Sequence, residues 1–150
     1  MAIALLLHLV AATLWVGGMF FALLILRPAT LALEIPVRVG LWSRVLERFM
    51  VVVWGAVITL PVTGYWMIFA GFGGMNGLGL HIHIMEGVGW CMIGLFLVLY
   101  FRAYRPMRRM AEQLLIPETG LYIERIRKIV LINLILGLIT FVAAGAGRYW

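Results

Sequence analysis

The chain has 150 residues, 65% of them apolar and 12% charged, with twelve Lys and Arg against six Glu and no Asp. Soluble domains carry about 25% charged and about 45–50% apolar residues, so this composition excludes a water-soluble globular protein, and its hydrophobicity excludes disorder. A single cysteine, Cys91, excludes a disulfide scaffold and a multi-cysteine metal cluster, and it is read as an inert buried thiol.

In chain order, four windows are apolar and long enough for a membrane span of about 20 residues: residues 3–26, 49–72, 80–101 and 129–146. The first has neither a basic n-region nor a small-residue cleavage site, so it is expected to be a retained span and not a signal peptide. The link 27–48 mixes apolar and basic residues and is expected to lie along the membrane surface, broken by Pro28 and Pro36. Thr59, Pro61 and Thr63 in the second span are candidates for bending or gluing helices. A glycine-rich link, GFGGMNGLG, leads into the third span. The link 102–128 is of the same kind as the first, with arginines at phosphate level and Pro117 as a breaker. The fourth span carries Asn133, a further candidate for interhelical bonding or for recognising a guest.

Eleven of the twelve cations lie in the two links 27–48 and 102–128. The positive-inside rule then puts both termini and the glycine-rich link outside, which in a bacterial inner membrane is the periplasm. Cations confined to span ends argue against nucleic acid despite a pI near 10.3. Only helices and closed barrels satisfy the backbone in lipid, and these windows are too long and too evenly apolar for barrel strands. The expected fold is therefore a single all-α integral membrane domain, an up-down-up-down bundle of four transmembrane helices.

The first and third spans resemble one another at an offset of 75, which matches His8 with His83, Trp15 with Trp90 and Arg27 with Arg102. Glu47-Arg48 and Glu124-Arg125 echo one another at an offset of 77. Two similar helical hairpins are expected. The 19 residues from each histidine to its arginine span roughly 28 Å of helix, close to the roughly 30 Å of the hydrocarbon core. His8 and His83 are thus expected at one depth near the outer rim, with Trp15 and Trp90 beneath them.

Histidine within a span is a functional candidate. Two at equal depth, on helices lying diagonally across a bundle, suit the axial ligation of a haem b. Ala12 and Gly87 leave room for a flat ring, Trp15 and Trp90 floor it, and Arg148 is placed to pair with a propionate. His81 lies two residues from His83 and serves as the fallback ligand. Glu86, the one carboxylate in a span, costs about 2.5–3.5 kcal/mol to bury ionised and is expected to be protonated or paired. The first reading is a small membrane cytochrome that exchanges electrons with a quinone or a periplasmic partner, as an oxidoreductase or a redox subunit. The alternative is a copper-binding, transport or resistance protein with metal ligands His8, His83, His81 and Glu86. Methionines such as Met67, Met75, Met85 and Met92 add thioethers suited to Cu(I), although methionine is also common core filler. A second alternative is a cofactor-free accessory subunit. A homodimer, or a place in a larger complex, is compatible with the glycine-rich faces. No phosphate loop, nucleophile elbow or HExxH pair supports a hydrolase or NTPase.

The opening, from Leu7-His8-Leu9 through Trp15-Val16-Gly17-Gly18 to Leu26-Arg27-Pro28-Ala29, resembles the first span of CopD-type copper resistance membrane domains. The stretch from Glu124-Arg125-Ile126 through Asn133-Leu134-Ile135-Leu136-Gly137-Leu138 to Gly147-Arg148-Tyr149 resembles the close of that domain. The resemblance implies a four-span domain linked to copper uptake or resistance. The opening is also similar to HemJ-type protoporphyrinogen oxidases, which pair a Leu-His in the first span with a Trp seven residues on and bind haem b. That family has a lysine near the start of its third span, where this chain reads His81-Ile82-His83.

Overall fold

The computed structural model describes residues 1–71, 73–75 and 78–147, and among these the regular structure is helical throughout. Helix α1 (Ala2–Phe20) runs through a π-helical turn (Phe21–Leu26) into the short α2 (Arg27–Ala29). Next come α3 (Ile35–Gly71) and α4 (Leu80–Leu99); a second π-helical turn (Tyr100–Tyr104) leads into α5 (Arg105–Glu112), and α6 (Ile116–Ala146) closes the bundle. Four rods result, Ala2–Ala29, Ile35–Gly71, Leu80–Glu112 and Ile116–Ala146, each long and apolar enough to cross a membrane. At most 28% of the residues in any rod's most apolar stretch are buried. The rest, such as Ile3, Val51, Ile58 and Val142, face outward. Helices apolar on every side need an apolar solvent, so the chain is a multi-pass membrane protein.

The rods pack as two pairs, α1 close against α3 and α4 close against α6, and α6 also touches both α1 and α3. The α3–α4 seam is filled by large rings, with Trp54 edge-on to Phe96 and to Tyr100 at 5.3 Å in each case. Trp15 reaches across the middle from α1 to Phe96, 6.2 Å between centroids. Two glycines allow the close approaches. The ring of Phe49 fills the space beside Gly18, and Val16 and Met92 lie 2.7 and 3.3 Å from where a Cβ on Gly137 would stand. Asn133, buried on α6, donates from Nδ2 to the Met92 carbonyl at 3.3 Å, and so acts as the expected interhelical bond. Met19, Met50, Met92 and Met107 are all buried and fill the core.

The two basic links differ from expectation. Neither is a separate surface helix broken by proline; the transmembrane helices simply run on through most of each. Pro36 and Pro117 stand second in α3 and α6, where a missing N–H leaves no helical bond unmade. The chain breaks instead at residues 30–34 and 113–115, the latter turning on Leu114 with φ of +57°.

Of the three remaining prolines, Pro61 lies inside α3, and Pro28 and Pro106 carry the repeat. Arg27 N–H donates to the Ala22 carbonyl and Arg105 N–H to the Tyr100 carbonyl, both five residues back. Pro28 and Pro106 follow immediately. A proline cannot bond the carbonyl four residues before it, and its ring crowds that carbonyl. Before Pro28 and Pro106 the turn is wider by one residue, whereas α3 stays α-helical through Pro61. The wide turns therefore correspond at an offset of 78, and Arg27 answers Arg105, one helical turn from the Arg102 that the sequence register of 75 selects. Beyond the second wide turn, α5 is tied to α3 by Arg108, 3.0 Å from Glu112 and 3.7 Å from Glu47. The hydrogen bond to Glu112 and the charge of Glu47 raise that guanidinium further above its already basic range.

Candidate functional site

Helix α3 organises the polar groups at the end of the bundle opposite the arginines. Thr63 turns toward α1 and Tyr65 toward α4. Two residues differ in height by about 3 Å of helix rise, so both flanks carry polar chemistry at one depth.

On the α1 flank, His8 Nδ1 lies 2.8 Å from Thr63 Oγ1. The Thr63 hydroxyl donates its one proton back to the Thr59 carbonyl at 2.6 Å, with the Leu60 carbonyl at 3.3 Å. Its oxygen is then an acceptor toward the ring, so Nδ1 carries the imidazole proton and Nε2 keeps a free lone pair. The ring packs beside Gly64, where a Cβ would lie 3.5 Å from His8 Cε1, an ordinary contact that an alanine would also make. His8, Trp15 and Met19 share one face of α1, their spacings of seven and eleven residues returning to within about 20°, and Trp15 and Met19 are core residues.

On the α4 flank, the Tyr65 hydroxyl donates to Glu86 Oε1 at 2.6 Å, and Trp90 Nε1–H donates to the Tyr65 oxygen at 3.2 Å. The other carboxylate oxygen of Glu86 lies 3.9 Å from His83 Nδ1. Glu86 is thus paired, as its burial required. Tyr65 is the residue that sequence reasoning missed. Its signal is a phenol alone in an apolar span.

The histidines of α4 exchange the roles expected of them. The His83 side chain is 47% exposed. Nine residues separate it from the buried Met92, about 180° of helix. Gly87, with open space around it, and Trp90, 51% exposed, lie on the same outward side. Cys91 beside them is exposed as well, contrary to the buried thiol expected. His81 stands eleven residues from Met92, within about 20° of the core direction, and packs against Gly147 at the end of α6. Rotation of α4 therefore turns His81 inward and His83 outward, the reverse of what the repeat implied. Ala12 is half-buried on α1. Arg148 lies outside the described residues. Among the described residues no hydrogen bond joins His8 to His83, and no group of three His, Cys, Asp or Glu side chains is placed to hold a metal ion.

Residues 43–146, more than half of the chain, match the family model of Copper resistance protein D. The matched stretch contains Thr59, Thr63, Tyr65, His81, His83 and Glu86, and begins after His8. The likeness to protoporphyrinogen oxidases is not shown. No curated protein and no solved structure matches the chain.

Proposed function

Because the chain belongs to the Copper resistance protein D family, we propose that it handles copper ions as cargo at the histidine-bearing end of the bundle. The observation that carries the proposal is the Thr59–Thr63–His8 relay, which presents Nε2 of a half-buried imidazole as a lone-pair donor. A metal-binding histidine commonly has its other ring nitrogen held in this way. His83 and Glu86 form a second, more exposed donor pair with Tyr65 behind it. Donors spread over two flanks, without a closed cage, suit an ion that is passed on and not stored. Imidazole suits copper in either oxidation state, and the carboxylate favours the harder Cu(II). By the positive-inside rule this end faces the periplasm of a bacterial inner membrane, with both termini outside.

The haem b reading lacks comparable support, since the family likeness concerns copper and the expected partner groups His83 and Trp90 lie on the outer side of α4. A quinone or periplasmic electron-transfer partner belongs with that reading.

Competition titration of the detergent-purified protein against a chromophoric Cu(I) chelator tests the proposal. His8→Ala is expected to weaken copper binding at least tenfold. Thr63→Val, which leaves the ring in place but unoriented, should weaken it about tenfold, the low end for a supporting ligand partner. Unchanged affinity in His8→Ala and in the His83→Ala/Glu86→Gln double variant would falsify it. A Soret band that sharpens on reduction would restore the haem reading.

A further inference from the structure

At the opposite end of the bundle, a cavity of about 320 Å³ opens between the first rod and the beginnings of α3 and α6. That volume lies at the small end of the range for ligand pockets, roughly 300–1,000 Å³. Its floor is apolar, built from Leu23, Phe49, Ile123 and Val130 among others. Its polar wall is occupied already. Trp42 Nε1–H donates to the Thr30 hydroxyl at 3.2 Å, and that hydroxyl donates to the Arg27 carbonyl at 2.9 Å. What remains is three guanidiniums, Arg27, Arg38 and Arg127, against one carboxylate, Glu124.

Arg127 pairs through Nη2 with Glu124 at 2.5 Å, and its side chain stays 33% exposed, so other guanidinium N–H groups remain open to a ligand. Its Nε–H is buried, with no acceptor among the described residues, and does not face the cavity. Arg38 spends one N–H on a long 3.5 Å bond to the Leu31 carbonyl and keeps the others. Guanidinium forks match phosphate oxygens in geometry and charge. Basic pockets between transmembrane helices suit anionic headgroups.

We infer that this cavity is a binding site for one anionic phospholipid, the phosphodiester held by Arg38 and Arg127 with Arg27 and the acyl chain seated on the apolar floor. A soluble anion would satisfy the arginines but leave the floor uncovered. A zwitterionic lipid would cover the floor but bring a cation to a site already in positive excess. The inference is independent of the copper proposal, because the site lies at the other end of the rods.

Native mass spectrometry of the delipidated full-length protein in detergent, titrated with phosphatidylglycerol or phosphatidylethanolamine, tests it. Phosphatidylglycerol is expected to bind at least tenfold more tightly. Arg38→Gln should remove most of that preference. Gly120→Leu should weaken both lipids, because Gly120 lines the cavity with space around it and the new side chain fills the apolar part. Circular dichroism of each variant confirms that it is folded. Equal affinity for the two lipids in the unmodified protein overturns the inference, and that measurement needs no variant. So does inorganic phosphate displacing phosphatidylglycerol at matched concentration, or an unchanged preference in folded Arg38→Gln.

Discussion

Trp15 and Trp90 occupy the same place in the two hairpins, seven residues after a histidine, yet one is 2% and the other 51% exposed. Trp15 is driven into the bundle centre against Phe96. Trp90 lies along the outside of α4 and keeps its indole N–H bonded to Tyr65. The difference shows that the resemblance between the two hairpins extends to long apolar helices and their wide turns but not to helix rotation. Depth is set by the lipid, which both halves share. Rotation is set by neighbours, and these differ. The first helix has Thr63 and Gly64 to receive its histidine, whereas the third meets Tyr65, Trp54 and the end of α6.

The largest expected effect separates the two tryptophans. Trp15→Ala removes a buried ring from the core and should cost about 3–5 kcal/mol. Trp90→Ala loses one hydrogen bond on an outward face and should cost at most about 1 kcal/mol. Reversible unfolding in mixed micelles measures both. Equal losses would mean that α4 is not rotated as described. The glycines give a second contrast. Gly137→Ala pushes a methyl into Val16 and Met92 and should destabilise by about 1–3 kcal/mol through overpacking. Gly94→Ala meets open space and should stabilise by roughly 0.5 kcal/mol through the better helix propensity of alanine. A loss in both would place a neighbour against Gly94. Tyr65→Phe comes next. It strips Glu86 and Trp90 of their shared partner and should cost about 1 kcal/mol, with no effect on the His8 flank of the copper titration.

The four rods were legible from composition and charge alone, because a span needs little more than length, apolarity and cations at its ends. Asn133 was legible too, since an amide in lipid must find a partner. The choice between His81 and His83 was not. A helix apolar on every side has no periodic stripe to fix its rotation, so the repeat was the one guide available, and it pointed the wrong way around α4. Tyr65 was hidden by a different cause. A phenol carries no charge to make it costly in lipid, and its importance rests on Glu86, which lies 21 residues away on another helix. The π-turns were half-legible. Arg27-Pro28 and Arg105-Pro106 recur in the sequence, but the register of 75, set by His8 with His83 and Trp15 with Trp90, draws the comparison to Arg102.

The smallest expected effect concerns those turns, and it decides whether they are the part of the repeat that both halves share. Pro28→Ala and Pro106→Ala each restore an N–H that can bond the carbonyl four residues back, with Leu24 and Arg102 as the acceptors. The five-residue bonds from Arg27 to Ala22 and from Arg105 to Tyr100 should then give way to ordinary helical ones. Removing the extra residue of a wide turn rotates everything beyond it by about 100°. In the first rod that rotation breaks the Trp42–Thr30 bond and swings Arg27 from the cavity mouth. In the third it withdraws Arg108 from Glu47. The gain in helical bonding and the loss of these contacts nearly offset, so each variant should change stability by less than about 1 kcal/mol. Hydrogen exchange reads the local change directly. Greater protection just before residue 28 in one variant and residue 106 in the other is expected, to a similar degree. Protection altered in one and unchanged in the other would mean that proline opens only one of the two turns, leaving depth alone as what the hairpins have in common.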